Sequence, residues 1–268
     1  MSISNETIVL ITGANSGIGL ATVVQLMKST VAYEVLLGAR SIDNAEKAAA
    51  NARAQVPHSK STVIPTVIDI TSDESIDKVA QAIGAKYGRL DVLINNAGVN
   101  LDLTPAFAKH SQREILNQTF DINVTGHHVV TRILAPYLVK SSSPRVLFTG
   151  SDGGSLAKTE DPTYFVNASP VAGWPKPPGM ELPGYKISKA ALIMVMREWN
   201  RILKNDGAKV WSVDPGLTAT NLGAQPEVFE QYGAPPPSVA ASFFVNVVEG
   251  QFDEHVGRVI TSAGPVAW

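Results

Sequence analysis

The sequence predicts an α/β fold, a doubly wound parallel sheet of about seven strands with helices on both faces. Three observations point there. Short β-branched runs alternate with longer helical patterns along the 268 residues, the order expected of strand–helix–strand units. The runs are apolar at consecutive positions, as strands covered on both faces must be. A glycine-rich stretch, ITGANSGIG, joins the first strand pattern to the first helical one, where open α/β sheets carry ligand loops.

The elements follow in order. TIVLI at 7–11 is the first strand, and a helix over 17–29 starts within the glycines. EVLLG at 34–38 is the second strand, followed by a helix over 43–55. TVIPTVI at 62–68 is the third, followed by a helix over 73–87. Thr71 and Glu74 stand before that helix with the spacing of a capping box, in which each side chain satisfies an orphan backbone N–H. LDVLIN at 90–95 is the fourth strand, and one helical pattern runs from 111 to 140. RVLFT at 145–149 and KVWSV at 209–213 are the fifth and sixth strands, with a helix over 185–204 between them. A helix over 237–250 and the strand RVIT at 258–261 close the pattern. The Pro/Gly-rich stretches 152–184 and 217–237 each follow a strand. They read as excursions from a single domain spanning 1–268, the second of them a substrate loop.

Composition closes off several functions. With 44% hydrophobic and 17% charged residues the chain can build a sizeable core. A net charge of −2 and no basic stripe argue against nucleic acid. The absence of cysteine removes disulfides, thiol nucleophiles and cysteine-rich zinc sites. His127 and His128 are adjacent, so on a helix they point in different directions; packing or surface placement is expected, and no metal. The longest apolar windows, VVTRILAPYLV and ALIMVM, are short or broken by Arg132 and Pro136, so no membrane span is expected. The first residues lack the basic start of a signal peptide, and a soluble cytoplasmic protein is the expectation.

Gly13, Gly17 and Gly19 lie between the first strand and helix. Glycines there let the backbone approach a pyrophosphate, and the helix N-terminus offers it unpaired N–H groups. The spacing is G-x-x-x-G-x-G rather than the commoner G-x-G-x-x-G. At the end of the second strand, where an NAD site carries a carboxylate for the ribose 2′-hydroxyl, stand Ala39, Arg40 and Ser41. A guanidinium there binds a 2′-phosphate that a carboxylate would repel, so NADP(H) is preferred over NAD(H).

TGANSGIG (12–19), NNAG (95–98), Ser151 after the fifth strand, YKISK (185–189) and DPGLTAT (214–220) stand in this order. Together they resemble the short-chain dehydrogenase/reductase family, and the resemblance covers nearly the whole chain. It implies a single Rossmann-type domain in which hydride passes between a nicotinamide and a carbonyl or alcohol carbon. By the same resemblance Ser151, Tyr185 and Lys189 match the catalytic trio, and Asn123, in DINVTG, the catalytic asparagine. The cofactor positions it implies are Gly13, Asn15, Ser16, Gly17, Ile18 and Gly19, then Arg40, Asp69 and Ile70. Asn96, Ala97 and Gly98 line the middle, and Pro215, Gly216, Leu217, Thr218 and Thr220 the nicotinamide end, with Tyr185 and Lys189.

The residue types suit that chemistry. Carbonyl reduction leaves an alkoxide that needs a proton, and a free tyrosine, pKa about 10, is a reluctant donor at neutral pH. Lys189, four residues on, shares the helix face of Tyr185. Its cation is expected to favour phenolate and lower the tyrosine pKa. Ser151 can donate a hydrogen bond where negative charge develops. The resemblance adds that the lysine holds the nicotinamide ribose and that Asn123 holds a water linking it to solvent. The expected function is NADPH-dependent reduction of a ketone or aldehyde with Tyr185 as general acid. Three alternatives stay open: an NADP-linked alcohol dehydrogenase working oxidatively, a non-redox cofactor-binding module or cyclase on this fold, and a hydrolase. Ser151, Asp214 and His255 do follow the chain order of an α/β-hydrolase triad, but the nucleophile elbow also needs glycine two residues before the serine, and Thr149 stands there.

Ser151 and Tyr185 are separated by 33 residues, more than in many relatives. In location this insertion resembles that of the monomeric carbonyl reductases, which implies a monomer while leaving a homo-oligomer open. It carries Tyr164, Phe165 and Trp174, and the later loop Phe229 and Tyr232. An aromatic wall of this kind suits a bulky apolar or aromatic carbonyl substrate.

Overall fold

A computed structural model describes residues 6–104, 109–164, 167–176, 182–223 and 226–268. The strands β1 (Thr7–Ile11), β2 (Tyr33–Ala39), β3 (Thr62–Val67), β4 (Val92–Asn95), β5 (Arg145–Thr149), β6 (Lys209–Val213), β7 (Val259–Thr261) and β8 (Gly264–Val266) form one sheet. Its order is β3-β2-β1-β4-β5-β6-β7-β8. Every pairing from β3 through β7 is parallel. Strand order reverses at β1, which lies between β2 and β4, so the carboxyl ends of β1 and β4 open the crevice in which such sheets bind ligands.

The eighth strand is an addition to the seven expected. It pairs antiparallel with β7 through a tight link at Ser262 and Ala263. Gly264 supplies the positive φ of 117° that the return requires. Serine and alanine are not the usual residues of such a turn, so nothing in the sequence marks it. The outermost strands each contain a proline, Pro65 in β3 and Pro265 in β8, positions that only edge strands tolerate.

Alternate strand residues feed two cores. Val9, Ile11, Val35 and Leu37 pack under α1 (Gly17–Lys28), α2 (Ile42–Gln55) and α9 (Pro237–Val248). Ile8, Leu10, Leu93 and Phe148 pack under α3 (Asp73–Lys86), α5 (His127–Leu138) and α7 (Pro183–Ile202). These side chains are shielded almost completely. Burying each contributes on the order of 1.5–3 kcal/mol, which is why the consecutive apolar pattern settles the two-sided sheet. The short helices α6 (Leu156–Thr159) and α8 (Pro226–Glu230) lie in the loops after β5 and β6. No described helix is long and apolar enough to cross a membrane.

Two local expectations are corrected. The helix at 111–140 is three pieces: α4 (Gln112–Phe120), a π-helical turn Asp121–Gly126, and α5. The wider turn lies where the chain meets the loop after β3. A Cβ on Gly126 would stand 2.7 Å from the Ile70 carbonyl oxygen, so only glycine allows this approach. Helix α3 is capped by Ser72, whose hydroxyl accepts the Ser75 N–H at 3.3 Å, and not by Thr71. Thr71 is drawn away by the Asp69 carboxylate at 2.7 Å, and Glu74 pairs with Lys78 on the exposed face. A two-way capping box does form one helix later, between Ser111 and Glu114.

Candidate active site

The turn after β1 is built around missing side chains. Gly13 and Gly17 have φ of 62° and 54°, a region that other residues rarely enter. A Cβ on Gly13 would lie 2.8 Å from Ala97 Cα, and one on Gly19 would lie 2.5 Å from Asn96 Nδ2. The loop after β4 therefore presses directly on the glycine turn. Buried Thr12 locks it there: its hydroxyl accepts the N–H groups of Asn96 and Ala97 at 3.0 and 3.1 Å. Asn96 Nδ2 donates to the Thr12 carbonyl at 2.9 Å. Gly98 follows beside Asn123, whose Oδ1 would stand 3.4 Å from a Cβ there.

Helix α1 begins at this turn, and no side chain caps it; Ser16 at the N-cap forms no such bond and is exposed. Asn15 and Ile18 are partly exposed beside it. Uncapped N–H groups at a helix start, approached by a backbone free of Cβ atoms, fit a pyrophosphate. Arg40 follows β2, exposed and without an ion pair among the described residues. Ser41 is committed to α2, where it accepts the Asn44 N–H. Asp69 and buried Ile70 follow β3, one strand further out. Thr220 packs on the glycine turn, its Cγ2 lying 3.5 Å from where a Gly17 Cβ would be. Pro215, Gly216, Leu217 and Thr218 form the loop after β6; Gly216 has φ of 69°, and Leu217 is exposed. All the proposed dinucleotide residues thus lie along the carboxyl ends of the strands.

The second half of the site is the start of α7. Leu182 at its N-cap offers no side-chain bond. The cap comes instead from Asp102, in the turn after β4, whose carboxylate accepts the Tyr185 N–H at 2.8 Å and the Gly184 N–H at 3.3 Å. Ser151, just past β5, holds the Gly153 N–H at 3.1 Å, and its hydroxyl lies near the Tyr185 ring: a Cβ on Gly153 would stand 3.4 Å from the one and 3.8 Å from the other. Lys189 is buried, with Nζ donating to the Thr149 carbonyl at 2.7 Å and lying 5.5 Å from the centre of the Tyr185 ring. Asn123 joins them from the π turn. Its amide exchanges two bonds of 2.9 Å with the Val99 backbone and donates at 3.0 Å to Ser188 Oγ, which donates on to the Tyr185 carbonyl. Ser151, Tyr185, Lys189 and Asn123 are brought together.

The electrostatics differ from expectation. Burial pushes the Tyr185 phenol up to about 12, against the hydrogen bond from Ser151, with Asp214 and Asp152 adding to the rise. Burial pulls Lys189 down to about 8, opposed by Asp214. Lys189 therefore does not lower the tyrosine here. Its ammonium is aimed at a strand carbonyl, and loss of water from around the phenol dominates.

Several contributors escaped the sequence reading. His127, expected to be ordinary packing or surface, is buried and reaches the Ala97 carbonyl with Nε2 at 2.7 Å, pinning the loop after β4. Burial, then the nearby Lys189 charge, pulls its pKa from 6.5 to about 3. An unfolded histidine takes up a proton as pH falls through 6.5, whereas the folded one refuses it until about 3, so stability is lost in that window on acidification. In His127→Gln, the pH slope of urea-unfolding free energy between 6 and 4 should flatten by about 1.4 kcal/mol per pH unit. An unchanged slope would show that His127 titrates normally.

Gly154 is the second contributor missed: a Cβ there would lie 2.5 Å from the Lys189 carbonyl carbon and 2.6 Å from the Ala190 nitrogen. It lets the chain after Ser151 lie flat against α7. The hydrolase triad does not assemble. Ser151 and Asp214 follow the last residues of β5 and β6, whereas Asp253, two residues before His255, pairs with Arg145 and Lys209 at their first residues. His255 is therefore at the opposite end of the sheet. Nor does an aromatic wall form among the described residues. Trp174 and Tyr232 are 84% and 75% exposed, and Tyr164 turns its hydroxyl to Asp152 at 2.8 Å. Phe229 is partly buried, and Phe165 lies outside the described residues.

Comparison with known proteins agrees with this geometry. The family described as short chain dehydrogenase matches residues 7–230. The short-chain dehydrogenase/reductase tropE of Talaromyces stipitatus is 38% identical over 269 residues, covering 99% of both chains. The short-chain dehydrogenase/reductase eupG of a Phoma species is 39% identical over 260 residues, covering 93% of this chain and 92% of its own. Among solved structures, NADPH-bound carbonyl reductase from chicken fatty liver superposes with a TM-score of 0.78 at 21% identity, covering 99% of this chain and all of that one. That last likeness is one of fold.

Proposed function

The chain belongs to the short-chain dehydrogenase/reductase family of oxidoreductases, and from that premise we propose that it is an NADPH-dependent carbonyl reductase. The observation that carries the reading is the side-chain cluster at the carboxyl end of β5, where Lys189 Nζ, held by the Thr149 carbonyl at 2.7 Å, lies 5.5 Å from the centre of the Tyr185 ring, with Ser151 beside them. A protonated tyrosine can give hydrogen to an oxygen gaining negative charge. An alkoxide is a far stronger base than phenolate even with the phenol at about 12, so the transfer runs downhill.

The bound nicotinamide would supply the hydride. Gly13, Gly17 and Gly19 with the start of α1 would hold its pyrophosphate, and Arg40 the 2′-phosphate. Ser151 would orient the substrate oxygen and share its developing charge. Tyr185 would donate the proton, and Lys189, 5.5 Å from the ring centre, would offset the charge of the phenolate left behind until a proton returns from solvent, and would position the cofactor ribose. Asn123 would fix the turn that faces Ser188 and so the backbone of Tyr185. A neutral ketone or aldehyde is the favoured substrate, and exposed Leu217, in the loop after β6, offers an apolar flank a surface to lie on.

The test follows NADPH absorbance with a panel of quinones, aromatic ketones and aldehydes. Turnover with preference over NADH is expected; consumption of neither cofactor with any of them would reject the reading. Arg40→Asp should lower the NADPH-over-NADH preference in kcat/KM by at least about tenfold, the worth of one charge-assisted bond to phosphate. An unchanged preference would remove Arg40 from the cofactor site.

A further inference from the structure

Helix α7 starts short of partners. Leu182 at its N-cap makes no side-chain bond, and Pro183, next in the chain, has no N–H. The Lys186 N–H bonds the Leu182 carbonyl at 2.9 Å and forms the first rung of the helix. Two orphan donors stand before it, and both go to the carboxylate of Asp102: Gly184 N–H to Oδ1 at 3.3 Å and Tyr185 N–H to Oδ2 at 2.8 Å. The approach depends on residue 184 being glycine. A Cβ there would stand 3.2 Å from both Asp102 oxygens and 3.4 Å from the buried Thr119 Oγ1 of α4, so a methyl group would crowd the carboxylate off its amides.

Asp102 itself stands on a fixed support. It lies in the turn Leu101–Leu103, three residues after Val99, whose N–H and carbonyl are both held by the Asn123 amide at 2.9 Å. Leu101 is buried, and the loop after β6 packs on the same turn. A Cβ on Gly223 would lie 2.9 Å from the Asn100 carbonyl oxygen and 3.1 Å from Leu103 Cβ. The Tyr185 carbonyl is tied back to the same place, through Ser188 Oγ at 2.7 Å and from there to Asn123 Nδ2 at 3.0 Å. Both backbone polar groups of Tyr185 are thus fixed from the segment 99–102 and its Asn123 brace, and that segment continues directly from Asn96–Gly98.

We propose, resting on Tyr185 as proton donor, that Asp102 is a positioning residue for it: by clamping the first turn of α7 to the loop after β4, its carboxylate sets where the phenol stands relative to Asn96–Gly98. A carboxylate suits the task, since two charge-assisted bonds from one planar group fix direction as well as distance. Lys189, one turn further into the helix, has its own anchor in the Thr149 carbonyl at 2.7 Å. Without Asp102 the first turn is free to fray while Lys189 stays in place, so the loss falls on proton delivery and spares cofactor binding.

The test uses Asp102→Ala, which leaves both amides bare, and Asp102→Asn, which keeps one acceptor oxygen for the Tyr185 N–H. Single turnovers of NADPH with a carbonyl substrate are followed for each, with Tyr185 present and in the Tyr185→Phe background. With the phenol present, Asp102→Ala should slow the chemical step by about 10²-fold, the usual loss for a catalytic group misplaced by about an ångström. Asp102→Asn should recover at least about tenfold of that, the worth of a retained hydrogen bond. With the phenol absent nothing is left to aim, so Asp102→Ala should cost less than about threefold more, as for two residues acting as one unit. NADPH affinity, read from its fluorescence, should change far less than the rate. An equal loss in both backgrounds would make Asp102 a general support and overturn the proposal, as would a wild-type rate in Asp102→Ala. A ligand-free readout separates this from failure of the reductase reading. In NMR of protein with labelled tyrosine rings, the Tyr185 signal, identified by its loss in Tyr185→Phe, should move in Asp102→Ala and move less in Asp102→Asn. Were the wild type to turn over no carbonyl, the reductase reading would fall and this signal would decide Asp102; a signal that stays put overturns its role. A chain that folds with neither substitution would make the carboxylate a requirement of folding and overturn it too.

Discussion

Tyr185→Phe should lower kcat by about 10²- to 10⁴-fold, the usual worth of a general acid, with a much smaller change in cofactor affinity. The substitution removes one hydroxyl from a partly buried ring whose backbone is held by Asp102 and Ser188, so the helix start and the glycine turn stay in place. The phenol holds its proton to about 12, so wild-type kcat should be flat through neutral pH as far as this group decides it. An alkaline decline should begin nearer the Lys189 value of about 8. Stopped-flow single turnovers separate the chemical step from product release. Wild-type rates in the phenylalanine variant would show that the proton comes from elsewhere.

Gly154→Ala should cost about 1–3 kcal/mol of stability and also slow turnover by about 10²-fold. The added methyl would meet the Lys189 and Ala190 backbone at 2.5–2.6 Å. Helix α7 is anchored by Leu192, Ile193 and Met196 in the core and cannot retreat, so the loop must lift. Lifting it moves Ser151 away from Tyr185 on α7. Gly153→Ala is the control: there a Cβ would sit at an ordinary 3.4 Å from Ser151 Oγ and 3.8 Å from the Tyr185 ring. Thermal melts with single-turnover rates check both. Equal behaviour of the two variants would mean that the close approach at Gly154 is not what sets the loop.

The strands and the glycine turn were legible because their physics is local. A strand covered on both faces must be apolar at consecutive positions, and a turn pressed by Ala97 and Asn96 must lack Cβ atoms. The grouping of Ser151, Tyr185, Lys189 and Asn123 comes from motif order; in the structure they stand at the end of β5, on α7 and on the π turn. What could not be read were distances between segments remote in sequence. Four-residue spacing puts Lys189 under Tyr185, but not that its ammonium turns to the Thr149 carbonyl, so the sign of the tyrosine shift was misread. The pair Gly153–Gly154 is visible in the sequence; which of the two is obligatory depends on how near α7 passes. Asp102 is one more carboxylate in a loop until its partners on α7, 82 and 83 residues away, are seen. The cap of α3 moved by one residue because Asp69 competes for the Thr71 hydroxyl.

The sheet's flanks carry a further consequence. Pro65 at one margin and Pro265 at the other each leave a gap in the outward row of hydrogen donors. A neighbouring molecule arriving sideways could not zip onto either border without losing a rung, and on the far side the ribbon is only three residues long. Each sideways splice therefore forfeits hydrogen bonding at both borders, which disfavours that route to aggregation whatever happens at the crevice.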